Sequence, residues 1–269
     1  MFIRNISATL VLFAATLSAN AQHHPTLPHV KNKIVVISHR GNHVEAPENT
    51  LASTKEAIAC GADYVEVDLR TTKDGHLVVL HDAKVDRTTN GTGMVANMTL
   101  EEVEDLQVFN RNKKTHRVPQ FKELLAICKG KINIYLDFKE ADVAESWRQI
   151  KAAGMEKHVV VYLNKEAQYH QWKEVAPEVP LMTSLPKDVT TSEQLADFLK
   201  KLHVQVLDNV ASPEMVKAAN SHDVAVWLDV QSPTEGPTSW KEALNKGVQG
   251  LQTDKPADMV SFIKTLDTN

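Results

Sequence analysis

The sequence predicts an α/β fold, an eight-stranded TIM (β/α)8 barrel in a single domain, with a hairpin insertion after the second strand. Three observations lead there. Short apolar runs alternate with helical stretches along the chain, the pattern of a parallel sheet wrapped in helices. The runs number nine, and one of them, Leu77–Leu80, reads as the return arm of a hairpin, leaving eight. The chain has 269 residues, and such barrels typically take about 250.

The elements follow in order. Ile34-Val35-Val36-Ile37-Ser38 is continuously apolar, as a strand covered on both faces should be, and it ends in His39-Arg40-Gly41. Asn49 is placed to cap a helix from Thr50 to Cys60, and Gly61 to end it. Tyr64-Val65-Glu66-Val67-Asp68-Leu69-Arg70 then alternates strictly, with Glu66 and Asp68 on one face two residues apart. Two acids that close raise each other's pKa unless a cation neutralises them. On its own the stretch also reads as a half-exposed strand with a wet acidic face. Lys73-Asp74-Gly75 carries an Asp-Gly turn signal, and the hairpin it predicts folds His81 back to the level of the two acids.

Thr99 and Glu102 form a capping box for a helix through Leu106. Arg111 to Arg117 is a basic stretch, either an exposed loop or a collar for an anionic substrate. A helix starts at Pro119 and presents Phe121, Leu124, Leu125 and Cys128 on one side. Ile132 to Lys139 alternates again and turns Asn133, Tyr135, Asp137 and Lys139 to one face. An inward Asp and Lys need a partner, which is either their own ion pair or something bound. The remaining strands are Val159–Leu163, Leu181–Leu185, Val204–Leu207, Val224–Leu228 and Val248–Thr253. Ser212-Pro213 opens one intervening helix; Ser239 with Glu242 opens another, ended by Gly247.

The first 21 residues have the make-up of a cleaved signal peptide: Arg4, an apolar run from Ala8 to Ala15, and Ala19-Asn20-Ala21 as the cleavage site. Residues 22–32 read as a flexible leader, and 33–269 as the barrel domain. Export to the periplasm or beyond follows as an expectation, with no stable insertion in a membrane, since no run reaches the roughly 20 apolar residues of a span. A net charge of −4 gives no electrostatic case for nucleic acid. Cys60 and Cys128 are read as free thiols, although export permits a disulfide. In a barrel, His39, Glu66, Asp68, His81, Asp137 and Lys139 all fall at or near carboxyl ends of strands, where such folds carry their active sites.

At this point the motifs resemble the glycerophosphodiester phosphodiesterase family. In order they are His39-Arg40-Gly41, Pro47-Glu48-Asn49-Thr50, Gly61-Ala62-Asp63 leading into Glu66-Val67-Asp68, Thr72 to Gly75, His81-Asp82, and Arg87 to Gly93. Val118-Pro119, Asp137-Phe138-Lys139, Trp227 and Thr253-Asp254 with Pro256 continue the series over essentially the whole mature chain. The resemblance implies hydrolysis of a small-molecule glycerophosphodiester to glycerol 3-phosphate and an alcohol, with one divalent cation, Ca²⁺ or Mg²⁺. It implies His39 and His81 as the acid–base pair, Glu66, Asp68 and Asp137 as metal ligands, and Arg40 and Lys139 as phosphate ligands. Trp227 reads either as a wall against a sugar or glycerol or as ordinary barrel packing. Three carboxylates without a thiolate suit a hard cation, and imidazole both takes and gives protons near neutrality.

The chain departs from the family in three places. Asp137 stands where Glu is usual, Leu228-Asp229-Val230 follow Trp227 where Thr and Asn are common, and Tyr162-Leu163-Asn164 end a strand where Ser-Phe is common. The last two bear on the alcohol that leaves. Two rival readings stand beside the first. A lysophospholipase D-type enzyme acting on lipid needs an apolar rim at the mouth, and a non-catalytic barrel that only binds an anion needs the loss of a catalytic histidine.

Overall fold

A computed structural model describes residues 25–109, 115–210 and 212–266. The signal-peptide stretch and Arg111–Lys114 of the basic stretch lie outside the described residues.

Eight parallel strands close into a barrel, in the order β1 (Val35–Ser38), β9 (Gly250–Thr253), β8 (Ala225–Asp229), β7 (Val206–Asp208), β6 (Leu181–Ser184), β5 (Val159–Leu163), β4 (Asn133–Glu140) and β2 (Tyr64–Thr71), with β1–β2 pairing sealing it. The ninth, β3 (Leu77–Val79), is the expected hairpin arm. It runs antiparallel to β2 with Leu69 opposite Val79 and Thr71 opposite Leu77. One edge of β2 is therefore shared: Tyr64 and Val65 pair with β1, and Leu69 to Thr71 pair with β3. Gly75 takes a φ of 84° to make the turn, a left-handed conformation that costs glycine nothing.

The strands alternate between two cores. Val36, Val65, Val67, Leu136, Val161, Leu207, Val226 and Leu251 point outward into the large cluster beneath the helices. Inside the barrel, Val35, Ile37, Tyr64, Tyr135, Val160, Met182, Val206 and Trp227 pack against one another. Each such side chain contributes about 1.5–3 kcal/mol by leaving water. A third cluster, around Val78, Leu80, Val85, Val103 and Val108, seats the hairpin and the loops after it.

The leader is not free where it is described. Leu27 and Val30 pack against the inner cluster, Asn133 Nδ2 donates to the His29 carbonyl at 2.8 Å, and the amides of Lys31 and Asn32 donate to Asp63 Oδ1. Two apolar residues at the open bottom of a barrel find cover there, which a purely compositional reading of a Pro-containing leader misses.

Several helix starts differ from expectation by one to three residues. Thr50, not Asn49, caps α1 (Leu51–Cys60), accepting from the Ser53 amide. The helix expected at Pro119 is α3 (Phe121–Cys128), after α2 (Leu100–Glu104), which keeps its Thr99–Glu102 box. The helix expected from Ser239 is α8 (Pro237–Leu244), and Ser239 sits inside its first turn, accepting from the Gly236 amide at 3.1 Å. Proline in the first turn moves the start upstream. Cys60 and Cys128 are free. Within the described part of the basic stretch, Arg117 directs its charge to Glu123 and, at 3.8 Å, Glu104, so it is no collar cation.

Candidate active site

Register brings the acids together. In the β2–β4 ladder Asp68 lies directly opposite Asp137, and Glu66 opposite Tyr135. In a parallel ladder such neighbours face the same side, here the barrel interior. Ligand-type oxygens of Glu66, Asp68 and Asp137 all lie within 4.8 Å of one another. Asp68 is 0% exposed. Its Oδ2 accepts from Asn49 Nδ2 at 2.7 Å, and its Oδ1 stands 3.2 Å from Lys139 Nζ without forming a well-directed hydrogen bond. Lys139 also hydrogen-bonds Asp137 Oδ2, and Asn164 Nδ2 donates to Asp137 Oδ1 at 2.6 Å. Glu66 Oε2 accepts the Arg40 amide at 2.8 Å.

The electrostatics follow from crowding. Burial first, then the charges of Asp68 and Asp137, push Glu66 well above the usual carboxylate range. Burial and Asp68 raise Asp137 as well. Burial would lower Lys139, but Asp137 and Asp68 more than reverse this and hold it above its usual value. Against three carboxylates stand Lys139 and Arg40, whose Nε is 3.7 Å from Asp68 Oδ2. With all three ionised, one negative charge is left over in a nearly dry site, a position that costs several kcal/mol unless a proton or a further cation answers it.

Both histidines are oriented by a carboxylate. His39 follows β1, its amide bound to the Thr253 carbonyl, and its Nδ1 lies 2.7 Å from Asp254 Oδ1. His43 Nε2 reaches the same oxygen at 3.0 Å. Despite partial burial, the hydrogen bonds from His39 and His43 hold Asp254 well below the usual range. His81 arrives through the hairpin: the Leu80 amide donates to the Asp68 carbonyl, and Arg70 clamps the His81 carbonyl. His81 Nδ1 is 2.6 Å from Asp82 Oδ1. Asp82 is held well below its usual value, chiefly by the Arg87 guanidinium. Arg87 reaches on to Glu48, and Glu48 to Arg40, so one ion-pair chain links the His81 loop to the His39 loop. A carboxylate only accepts, so in both dyads Nδ1 carries the proton and Nε2 is the working nitrogen.

The loop after His39 is tightly made. Arg40 and Asn49 have φ values of 51° and 55°, left-handed conformations that cost a non-glycine residue of order 1 kcal/mol or more. Gly41 has φ 82°, and a Cβ there would meet Ser53 Oγ at 2.5 Å. Only glycine fits.

Eight candidate residues came from the sequence, and their positions divide. Glu66, Asp68, Asp137, Lys139 and Arg40 are in direct contact or one hydrogen bond apart. His39 and His81 flank them on loops tied to the same strands. Trp227 takes the second of its two readings, barrel packing. It is 2% exposed and packs against Tyr64 and Tyr135, with ring centroids 5.0 and 6.5 Å away. Gly250 opposite leaves room for its indole, where a Cβ would come within 2.6 Å. A residue in the middle of a barrel strand fills the barrel rather than lining its mouth.

The mouth also holds residues whose contacts the sequence reading did not assign. Asp254 and Asp82 orient the histidines, and Asn49 holds Asp68. On the far side, Tyr162 bonds Ser184 at 2.6 Å, Ser184 bonds Asp208 at 3.3 Å, and Gln252 donates to Asp229 at 3.0 Å. Position at the end of an inward-facing strand was the available signal for Asp254, Asp208 and Asp229.

Known proteins with this arrangement agree with the motifs. Over 246 residues the chain is 28% identical to a glycerophosphodiester phosphodiesterase of Caldanaerobacter subterraneus, spanning 86% of this chain and 98% of that one. The crystal structure of a glycerophosphodiester phosphodiesterase from Agrobacterium tumefaciens superposes with a TM-score of 0.75 at 26% identity, covering 85% of this chain and 99% of the other. A phosphodiesterase of Oleispira antarctica, solved with its product sn-glycerol 3-phosphate, shares the fold with a TM-score of 0.71 at 22% identity, covering 85% and 96%. The model of the glycerophosphoryl diester phosphodiesterase family matches residues 39–258, and the chain belongs to that family.

Proposed function

We infer that this chain hydrolyses glycerophosphodiesters to glycerol 3-phosphate and an alcohol, with one divalent cation and a histidine pair as acid and base. Its main support is the convergence of Glu66, Asp68 and Asp137 with one charge left unanswered. The residues fit a cation: all donors are oxygens, Asp68 Oδ1 is buried without a hydrogen bond, and burial with neighbouring charge pushes Glu66 and Asp137 up. An all-oxygen set suits Mg²⁺ or Ca²⁺. Such an ion supplies positive charge to the phosphoryl oxygens as the ester bond breaks.

The chain's own residues do the rest. Arg40 and Lys139 bring two further cations to the phosphate. His81 takes the proton of the glycerol 2-hydroxyl at Nε2, that oxygen attacks phosphorus, and His39 protonates the leaving alcohol. Water then opens the cyclic phosphate. The division of labour follows from the two carboxylates. Asp82 is already neutralised by Arg87. Asp254 has no Lys or Arg paired with it among the described residues, so its charge remains free to stabilise an imidazolium on His39, as an acid requires.

A second reading has one observation in its favour. Val44 and Phe109 are 50% and 58% exposed and line one cleft with His43, Glu48 and Arg87. That is an apolar edge beside the mouth, the feature that a lysophospholipid substrate needs. The signal-peptide composition supports a location outside the cytoplasm.

One assay separates the readings. The protein is incubated with glycerophosphocholine, glycerophosphoethanolamine or a lysophospholipid, each with Mg²⁺, Ca²⁺ or chelator. Release of glycerol 3-phosphate from the water-soluble diesters, only with metal, is expected. Turnover of lysophospholipid alone transfers the assignment to the second reading, and binding without any turnover removes both.

A further inference from the structure

A second set of metal-ligand atoms stands at the mouth, apart from the carboxylate triad. His39 Nδ1 and His43 Nε2 meet at Asp254 Oδ1, 2.7 and 3.0 Å from it, and the three ligand atoms lie within 4.8 Å of one another. We propose that His39, His43 and Asp254 bind a borderline transition-metal ion of the Zn²⁺ class, and that filling this site disables His39 as the proton donor.

The donor set carries the choice of ion. Two imidazoles and one carboxylate, with a fourth position open to water, are what Zn²⁺ and its neighbours take, whereas Mg²⁺ and Ca²⁺ prefer oxygens alone. With bonds of about 2.0 Å, a tetrahedral ion sets its ligand atoms roughly 3.3 Å apart. The observed separations from Asp254, 2.7 and 3.0 Å, are shorter by about 0.6 and 0.3 Å, so side-chain rotations admit the ion.

The ligands are held in place before any ion arrives. The His39 amide is fixed to the Thr253 carbonyl at 3.1 Å, and the Asp254 amide to Glu235 Oε1 at 2.9 Å. Glu235 is itself buried and anchored by Trp240 Nε1 at 3.1 Å. The turn between the histidines is pinned by Gly41 N to Ser38 O and Asn42 N to Ser53 O, with Gly41 too close to Ser53 to move inward. Solvent reaches the trio: the side chains are 19%, 26% and 35% exposed. His43 and Asp254 face an open cleft bordered by Gln231, Ser232 and Pro233. The nearest ammonium on that cleft, Lys255, is turned to the Glu235 carbonyl at 2.8 Å and leaves the entry clear.

The consequence for His39 is chemical. A metal on Nδ1 takes the lone pair there, so the one proton of the neutral ring moves to Nε2, and the bond to Asp254 is lost. The second proton that makes an imidazolium has no nitrogen left to bind. A metal-bound imidazole holds its remaining proton too tightly to protonate a leaving alkoxide. Occupancy of this site therefore opposes turnover even when the carboxylate triad holds its own ion.

Co²⁺ tests this, because it replaces Zn²⁺ and reports its ligand field. Tag-free protein, stripped with chelator and returned to excess Mg²⁺, is titrated with Co²⁺. One equivalent should develop the intense visible absorption of a four-coordinate site, persist in excess Mg²⁺, and disappear on addition of Zn²⁺. In His43→Asn the Co²⁺ affinity should fall about tenfold or more. Absorption that survives His43→Asn overturns the proposal and assigns the ion elsewhere, for example to the leader histidines His23, His24 and His29. Absorption abolished by Mg²⁺ overturns it too, since the ion then sits at Glu66, Asp68 and Asp137. In a companion assay, Zn²⁺ under saturating Mg²⁺ should inhibit the wild type at least about tenfold more strongly than His43→Asn; equal inhibition overturns the claim about His39. That assay rests on the hydrolytic reading above, whereas the spectrum does not, so the metal site is tested even in a chain without turnover.

Discussion

The two sides of the barrel mouth handle their acids differently. On the β1–β2–β4 side almost every carboxylate meets a cation. Lys139 answers Asp68 and Asp137, Arg87 answers Asp82 and Glu48, and Arg40 answers Glu48 and approaches Asp68. On the β6–β9 side Asp208 and Asp229 meet only neutral donors: Ser184, Asn209 and Gln252. Burial raises Asp208. Burial, then the charges of Asp208 and Asp137, push Asp229 up to about 7. The first side sets cations among its acids and so is suited to an ion and an anionic ester. The second, with its acids pushed upward, takes up protons as pH falls through and below about 7 and then presents a mixed donor–acceptor wall to whatever lies beyond the phosphate.

The largest effect expected from this contrast is chemical. His81→Ala and His39→Ala should each lower turnover by about 10²- to 10⁴-fold, the usual worth of a general acid or base, while thermal unfolding stays within a few degrees of wild type. Substitution on the other side, Asp229→Asn, should move turnover far less. Near-normal activity of His81→Ala would remove the assigned base. Next comes ion binding. Mg²⁺ at about a hundred times its Kd should stabilise the protein by about 2.7 kcal/mol, a rise in Tm of roughly 5–10 °C for a domain of this size. Glu66→Gln should abolish that rise and Asp229→Asn should preserve it, in a melting experiment with and without chelator. An equal loss in both variants would mean that the two sides act as one site.

The first side was legible in the sequence and the second was not, for physical reasons. Strict alternation in Tyr64–Arg70 and Ile132–Lys139 fixes which residues face inward, and the Asp-Gly turn fixes where His81 returns. Asp208 was lost to a shift of one residue, and the same shift hid the inward placement of Asp229, which showed only as a departure from the family pattern. Reading the strands as Val204–Leu207 and Val224–Leu228 puts both acids in loops, whereas the strands run to Asp208 and Asp229 and carry them inward. Strand ends are the weakest part of any pattern, because a polar residue at a mouth looks like the start of a turn. Asp254 escaped for another reason. It lies 215 residues from His39, and only closure of β9 on β1 brings the pair together. Asn49 has the residue type of a helix cap. Its amide is instead committed to Asp68, and Thr50, one residue later, has the extended backbone that a cap needs. Trp227 is the reverse case: a residue of the right type for a binding wall, sited too deep to be one.

The smallest predicted effect is the most diagnostic of the far side. A carboxyl group whose pKa is raised on folding binds more protons in the folded than in the unfolded chain, so its contribution to stability grows as pH falls. For Asp229 the window runs from about 7 in the folded protein down to about 3.9, the ordinary value for an unfolded aspartate. Above that window the ionised group is a liability, and Asp229→Asn relieves it. The side chain opens onto solvent at the mouth, which screens the penalty, so the gain at pH 8 should be on the order of 1 kcal/mol, or about 2–4 °C in Tm. At pH 5 the gain should shrink as wild-type Asp229 takes up its proton. Asp82 has the opposite sign: its lowered pKa supplies stability that is present above about 3.9 and is lost as the solution is acidified further. Melting curves at pH 8 and pH 5 for wild type, Asp229→Asn and Asp82→Asn therefore separate the sides. If Asp229→Asn shifts Tm equally at both pH values, Asp229 takes up no proton between them and the two sides of the mouth are electrostatically alike.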